Sequence, residues 1–137
     1  QLKKLDIFVQ KRREIAVQYD NSFANIVNLK IPKLQSAVEP SYHLYPLQID
    51  FKKLPFSKVE LFERMKKAGI NLQVHYIPIH LQPFYKKNYG FQQGDFPISE
   101  RFYQNELSLP IYPDLSADLS DKDVSLVIDS ILEIIPT

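Results

Sequence analysis

A helix with a start signal and a stop signal is predicted between residues 57 and 69. Ser57 and Glu60 form the S-x-x-E pattern of a capping box, in which each side chain accepts a hydrogen bond from the other residue's backbone. Apolar residues follow at helical spacing, and Gly69 stands where a left-handed residue ends many helices. The alternating segment 71–76 comes directly afterwards and predicts a strand. The chain therefore combines helices with a sheet.

Two more elements are predicted upstream of this helix. Apolar residues recur every three or four positions over residues 2–23, which predicts a long helix ending before Pro32. Residues 42–50 predict a strand, but Pro46 lacks a backbone donor. Proline is confined to edge strands and bulges, so we expect residues 42–50 to form an edge strand or to carry a bulge.

The second half of the chain is less regular. Residues 77–97 contain three prolines and two glycines and predict a long irregular segment, a kind that is often functional. A short helix is predicted over residues 100–106, with Pro97 in its first turn. Residues 108–113 are predicted to be extended, and Ser120 with Asp123 forms a second capping box before a final helix. The fold class is α/β with an α+β-like arrangement, a small and mostly antiparallel sheet with helices packed on it.

Charge and composition favour one soluble domain that binds neither nucleic acid nor membrane. The 137 residues suit a single domain, and 17 basic against 16 acidic residues leave a net charge of only +1. The basic run 11–13 lies within a helical pattern and is best explained as a solvated face. There is no cysteine and no apolar run near the roughly 20 residues of a membrane span. We expect a cytoplasmic protein.

The beginning of the chain predicts that it was cut from a longer protein. Residue 1 is Gln1 instead of an initiator methionine, and Met65 is the only methionine. The helical pattern starts at once, without a capping residue or a preceding loop.

The sequence motifs of a self-sufficient active site are missing. The pair His75 and His80 is five residues apart with Pro78 between them, whereas helical metal pairs are four apart, so no metal is expected. There is no G-x-S-x-G nucleophile elbow and no glycine-rich phosphate loop. Residues 75–85 do combine imidazole, phenol and amide groups with stiffening prolines. Such a segment suits a polar ligand, and a packed loop with satisfied side chains is the alternative.

A resemblance to a known family rests on this segment and on three later blocks. Residues 74–85 resemble the H-Y-x-P-x-H-x-Q-P-x-Y signature of the DegT/DnrJ/EryC1/StrS aminotransferases, which are fold-type-I enzymes that aminate keto-sugars carried on nucleotides. G-D-F-P-x-x-E at residues 94–100 and L-S-L-P-x-Y-P at 107–113 follow in the family's order, and residues 121–132 resemble its closing helix. Within the family, the chain resembles the transaminases of pseudaminic acid synthesis.

The resemblance implies the C-terminal small domain of such an enzyme. Residues 1–30 would be the interdomain linking helix and 31–137 the small domain, with the large cofactor-binding domain absent. The intact enzyme would be a homodimer that uses pyridoxal phosphate, a UDP-linked 4-keto-6-deoxy sugar and L-glutamate. The lysine that forms the Schiff base would lie upstream, so no catalytic residue is expected here and the fragment should not bind the cofactor.

By position in the signature, His75 and Tyr76 are predicted to lie near the sugar or diphosphate of the substrate. His80 is predicted as a diphosphate contact or as an organiser of the loop. Two alternatives stay open on the sequence: a non-catalytic binding or regulatory module, and a relative that lost the lysine and acts as a dehydratase. The encoding reading frame distinguishes them, because only an aminotransferase needs the upstream lysine.

Overall fold

The computed structural model describes residues 2–115 and 122–135. In these parts of the chain, short 3-10 turns cover Leu2–Lys4, Phe51–Lys53 and Ile79–Leu81. The longer elements, in chain order, are α1 (Leu5–Phe23), β1 (Leu29–Lys30), β2 (Tyr45–Ile49), α2 (Lys58–Lys67), α3 (Pro83–Tyr89), α4 (Pro97–Asn105), β3 (Glu106–Leu109) and α5 (Lys122–Ile134). The predicted fold class is confirmed.

The three strands form one antiparallel sheet in the order β1-β2-β3 within the described residues. Leu29 pairs with Ile49, and Tyr45 pairs with Leu109. Alternate residues of β2 point into the protein, so Tyr45, Leu47 and Ile49 are fully buried. All four residues of β3 are buried, which places both faces of that strand against other parts of the chain.

Residues 42–50 are predicted to form an edge strand or to carry a bulge, and the first of these two alternatives is wrong. β2 is the central strand of the sheet, with β1 on one side and β3 on the other. Pro46 is tolerated there because β1 is only two residues long and pairs with Gln48 and Ile49 alone. The proline therefore has a strand beside it only on the β3 side, where it lies opposite Ser108. β1 itself was not predicted.

The strand predicted for residues 71–76 is also wrong. Gln73 makes a single antiparallel bridge to Ser108, with backbone hydrogen bonds of 2.8 and 3.3 Å. None of residues 71–76 is buried, so their alternation of polar and apolar types does not produce a buried face. The segment lies along β3 in an extended form without becoming a paired strand.

The irregular segment predicted for residues 77–97 contains a helix, α3, and that prediction is wrong. Pro83 occupies the first turn of α3, where its missing N–H is not needed. Gly90 ends the helix with a positive φ of 71°, a conformation that glycine adopts without steric cost. Both signals are present in the sequence at the seven-residue spacing of a short helix. α4, in contrast, agrees with the predicted short helix and starts at Pro97.

The capping signals of α2 are confirmed by the hydrogen bonds. Glu60 N donates to Ser57 Oγ at 3.3 Å, and Ser57 N donates to Glu60 Oε2 at 2.7 Å. After the helix, Gly69 has a φ of 82° and Ile70 N donates to Met65 O at 2.9 Å, which closes the last turn. The second predicted capping box, Ser120 with Asp123, lies outside the described residues.

One hydrophobic core joins the first helix, the sheet and the last helix. α1 contributes Ile15, Ala16, Tyr19 and Phe23, all without solvent exposure. Buried residues of the sheet, of α2 and of α5 complete the same cluster. Full burial of one such side chain contributes about 1.5–3 kcal/mol, so α1 is held by packing along its whole second half. The division of the chain at residue 30 stays a prediction.

Candidate functional site

A buried carboxylate organises the polar groups at the start of β3. Glu106 has no solvent exposure. Its Oε2 accepts a hydrogen bond from the backbone N–H of His75 at 3.1 Å, and its Oε1 accepts one from the hydroxyl of Ser108 at 2.7 Å. Ser108 Oγ also lies 2.8 Å from Nδ1 of the His75 ring. The carboxylate therefore reaches His75 twice, at the backbone directly and at the ring through Ser108.

Lys58, the first residue of α2, contacts the backbone of Glu106. Its Nζ donates to the backbone carbonyls of Glu106 and of Tyr103, the latter at 2.9 Å. The ammonium also lies 5.3 Å from the centre of the Tyr103 ring, within the range of a cation–π contact. Burial lowers the pKa of Lys58 from 10.5, and the negative charge of Glu106 opposes that change. The first residue of α2 thus fixes the junction between α4 and β3.

The structure places His75 and Tyr76 together at the surface. The two rings meet edge to face with centroids 4.8 Å apart, and the peptide bond between them is cis. Tyr76 is 72% exposed, although tyrosine rings commonly bury most of their apolar surface. His75 also lines a cavity of about 320 Å³ between the 71–76 segment and the end of β3. Its other polar side chains come from His43, Asn71, Gln73, Ser108 and Tyr112.

His80 lies in different surroundings. It is buried, and its Nε2 is 2.9 Å from Oε1 of Glu100. Glu100 accepts further hydrogen bonds from the backbone N–H of Gly94, at 2.8 and 3.1 Å, and of Phe96 at 3.4 Å. The hydrogen bond from His80 and then those from the backbone lower the pKa of the Glu100 carboxyl. Among the described residues that line the His75 cavity, His80 does not occur.

Aromatic rings cover the outer side of α3. Phe84, Tyr85 and Tyr89 contact one another at centroid distances of 5.3–6.3 Å, and Phe91 continues the series to Phe96. Phe84 and Tyr89 are mostly exposed. The contact between Tyr85 and Tyr89 follows from the sequence, because residues four positions apart lie on the same face of a helix.

Glu106, Ser108 and Lys58 belong to the candidate site but were missed as functional residues. Glu106 was predicted to end a helix, whereas it starts β3. Nothing in the local sequence pairs it with His75, which lies 31 residues earlier. Ser108 was noticed only as part of a matching block.

The described lining of the His75 cavity does not contain the lysine that a pyridoxal phosphate site requires to form the imine. The half-buried amine of Lys58 is bound to two carbonyl oxygens and is not free for that reaction. The described part of the chain also contains no group of three or more His, Asp or Glu side chains able to hold a metal ion. None of its helices is both long and apolar enough to cross a membrane.

The described residues form a small α/β domain with a three-stranded sheet and a polar cleft beside β3. The sequence profile of the DegT/DnrJ/EryC1/StrS aminotransferase family matches residues 1–132, and the chain belongs to this family. The predicted resemblance is confirmed.

Two curated relatives cover almost the whole chain. The chain is 38% identical over 136 residues to the spore coat polysaccharide biosynthesis protein SpsC of Bacillus subtilis. It is 37% identical over 135 residues to the UDP-4-amino-4,6-dideoxy-N-acetyl-beta-L-altrosamine transaminase of Campylobacter jejuni. Each match covers 98% of this chain and 34% of the relative, so the chain spans about a third of the length of the curated relatives it matches.

Solved structures agree with the fold. Helicobacter pylori PseC, an aminotransferase involved in the biosynthesis of pseudoaminic acid, superposes with a TM-score of 0.84 at 32% identity, over 98% of this chain and 34% of PseC. The PLP-form of the putative sugar aminotransferase Spr1654 from Streptococcus pneumoniae superposes with a TM-score of 0.82 at 28% identity. This match covers 100% of the present chain and 34% of Spr1654.

Proposed function

We propose that this chain is the C-terminal part of a pyridoxal-phosphate-dependent enzyme that aminates a nucleotide-linked 4-keto-6-deoxy sugar. The observation that carries the proposal is the family match over residues 1–132, together with relatives at 37% and 38% identity that cover the chain end to end. A UDP-linked sugar is supported by the Campylobacter relative, which is a UDP-4-amino-4,6-dideoxy-N-acetyl-beta-L-altrosamine transaminase. L-glutamate as donor, a homodimer and a cytoplasmic location belong to the same proposal.

In this proposal the described residues bind and orient the substrate. His75 and Tyr76 lie on the extended segment beside β3. The carboxylate of Glu106 fixes the backbone of His75 by accepting a hydrogen bond from its N–H. The neighbouring cavity of about 320 Å³ is large enough for a sugar ring and is lined by hydroxyl, amide and imidazole groups. Such groups exchange hydrogen bonds with sugar hydroxyls, which are both donors and acceptors.

His80 has a supporting place in the proposal. Its ring is buried and joined to Glu100, which also holds the backbone at Gly94 and Phe96. These bonds fasten residues 94–96 to the turn that follows the His75 segment. This arrangement supports the predicted role as an organiser of the loop more than the predicted contact with diphosphate.

The cofactor and the imine-forming lysine are assigned to the rest of the proposed longer protein. When bound there, pyridoxal phosphate would carry the amino group between donor and sugar. No step of that transfer is assigned to a residue of this chain.

The test uses the protein encoded by the complete reading frame that contains this chain. The purified protein is incubated with a UDP-linked 4-keto-6-deoxy-N-acetyl sugar and ¹⁵N-labelled L-glutamate, and the sugar product is examined by mass spectrometry. We expect one ¹⁵N atom in the sugar and one equivalent of 2-oxoglutarate. Borohydride treatment should fix pyridoxal phosphate to a lysine outside residues 1–137. A protein that holds no cofactor and leaves the keto-sugar unchanged would be a non-catalytic module, and one that dehydrates the sugar without incorporating ¹⁵N would be a dehydratase relative; either outcome would reject the proposal.

A further inference from the structure

Three polar groups next to the cavity form a connected series of hydrogen bonds. Glu106 Oε1 is 2.7 Å from Ser108 Oγ, and Ser108 Oγ is 2.8 Å from His75 Nδ1. A hydroxyl has a single hydrogen to donate, while its oxygen can accept from others. Which way the series runs therefore depends on where the hydroxyl hydrogen points.

The carboxylate decides the direction. An ionised glutamate can only accept hydrogen bonds, so Ser108 must donate its hydrogen to Glu106. Ser108 Oγ can then only accept from the imidazole, which requires the hydrogen of the ring to be on Nδ1. Nε2 of a neutral His75 is left without a hydrogen, and no hydrogen bond joins it to another residue in the described parts of the chain.

Both side-chain oxygens of Glu106 accept hydrogen bonds, and a positive charge lies near the residue. Its second oxygen already accepts the backbone N–H of His75 at 3.1 Å, which suits a charged acceptor. The ammonium of Lys58 is bound to the backbone carbonyl of the same residue and provides a compensating positive charge.

We propose that Ser108 and Glu106 are positioning residues that fix the hydrogen of neutral His75 on Nδ1 and present Nε2 to the ligand as a hydrogen-bond acceptor. The ligand group opposite Nε2 must then be a donor, such as a sugar hydroxyl or the N–H of an acetamido group. A diphosphate oxygen, which only accepts, is disfavoured by the neutral ring. The identification of the ligand rests on the proposed function, whereas the position of the hydrogen does not.

The position of the hydrogen is tested by NMR on the 137-residue chain with ¹⁵N-labelled histidine. The pH is raised until the imidazole is neutral, and the signals of His75 are identified by their loss in His75→Gln. We expect Nδ1 to show the shift of a protonated ring nitrogen and Nε2 that of an unprotonated one. The opposite pattern would mean that the series runs the other way and would overturn the proposal.

Substitutions at Ser108 provide the matched comparison. Ser108→Ala removes the acceptor for Nδ1–H, so the His75 signals should move towards a mixture of the two tautomers. Ser108→Thr keeps the hydroxyl and should restore the wild-type pattern. Glu106→Gln gives a second variant. An amide nitrogen facing Ser108 would donate to the hydroxyl oxygen, so that the hydroxyl hydrogen would turn towards Nδ1 of His75. Unchanged His75 signals in both Ser108→Ala and Glu106→Gln would refute the proposed control of the ring.

The consequence for binding is measured in the longer protein. Ser108→Ala should raise the KM for the sugar nucleotide roughly three- to tenfold, the effect of one weakened hydrogen bond, with little change in kcat. Ser108→Thr should return the KM to the wild-type value. A normal KM in Ser108→Ala, in an enzyme that His75→Ala impairs, would refute the positioning role. An inactive wild-type protein would instead reject the proposed function and leave the NMR result valid.

Discussion

The hydroxyl of Tyr45 donates a hydrogen bond of 2.7 Å to Oδ1 of Asp20, which joins the central strand to the first helix. The ring of Tyr45 also packs against Tyr19, with centroids 4.9 Å apart. Tyr19 in turn donates to the carbonyl oxygen of Pro110 at 2.7 Å, just beyond β3. The two phenols therefore connect α1 to two adjacent strands, in addition to their share of the apolar core.

We expect Tyr45→Phe to lower the free energy of unfolding by about 1 kcal/mol, since one buried hydroxyl and its hydrogen bond to Asp20 are lost while the ring is kept. Urea denaturation followed by circular dichroism measures the difference. Tyr89→Phe is the control, because Tyr89 is mostly exposed and its substitution should change stability by less than about 0.5 kcal/mol. Equal effects of the two substitutions would show that the Tyr45–Asp20 bond does not stabilise the fold.

The same tyrosines predict a loss of stability in alkali. Burial raises the pKa values of Tyr19 and Tyr45 well above the ordinary 10.0. The hydrogen bond to Asp20 adds to the effect at Tyr45, and the charge of neighbouring groups adds to it at both. Stability is fully present below pH 10, where both states keep these hydrogens. Above pH 10 the two phenols ionise in the unfolded chain but stay neutral in the folded chain. The free energy of unfolding therefore falls with a slope approaching about 1.4 kcal/mol per pH unit for each phenol.

Unfolding free energies at pH 9 and pH 11 check this prediction. Tyr45→Phe should show a smaller decrease between the two values than the wild type, since one of the two groups is gone. Tyr89→Phe again serves as the control and should decrease as the wild type does. If the free energy of unfolding of Tyr45→Phe fell as much between pH 9 and pH 11 as that of the wild type, the Tyr45 phenol would not contribute to the loss of stability in alkali.

Acid should destabilise the protein through Glu100. Its folded-state pKa is lowered from 4.5, first by the hydrogen bond from His80 and then by the backbone of Gly94. The contribution to stability is fully present above pH 4.5 and is lost as the pH falls through the lower folded-state value. Glu100→Gln, which cannot ionise, should lose less stability between pH 6 and pH 3 than the wild type. Glu39→Gln, at an exposed ion pair with Arg13, is the matched control.

Sequence reasoning succeeded where the signal is local. The capping box at Ser57 and the stop at Gly69 depend on residues within one turn of the helix ends. The same kind of signal is present at Pro83 and Gly90, but the density of prolines and glycines over residues 77–97 predicts a loop. Pro46 does not make β2 an edge strand, because β1 is too short to reach the proline and leaves it without a neighbouring strand on that side.

The candidate site could be predicted only in part. The signature drew attention to His75, Tyr76 and His80, and two of these three lie together at the surface. Their partners depend on tertiary structure: Glu106 reaches His75 only because the 71–76 segment is bridged to Ser108. His80 is likewise joined to Glu100 across 20 residues, which no local pattern indicates.

The different surroundings of the two histidines predict different consequences of their removal. His80→Ala should lower the unfolding free energy of the 137-residue chain by about 1–3 kcal/mol, because Glu100 loses its buried partner. His75→Ala should change stability less, because its ring is only half-buried, but should raise the KM for the sugar nucleotide or lower kcat in the longer protein. Urea denaturation and steady-state kinetics on both variants separate these roles. If His75→Ala left the kinetics unchanged in a folded enzyme, His75 would not belong to the substrate site.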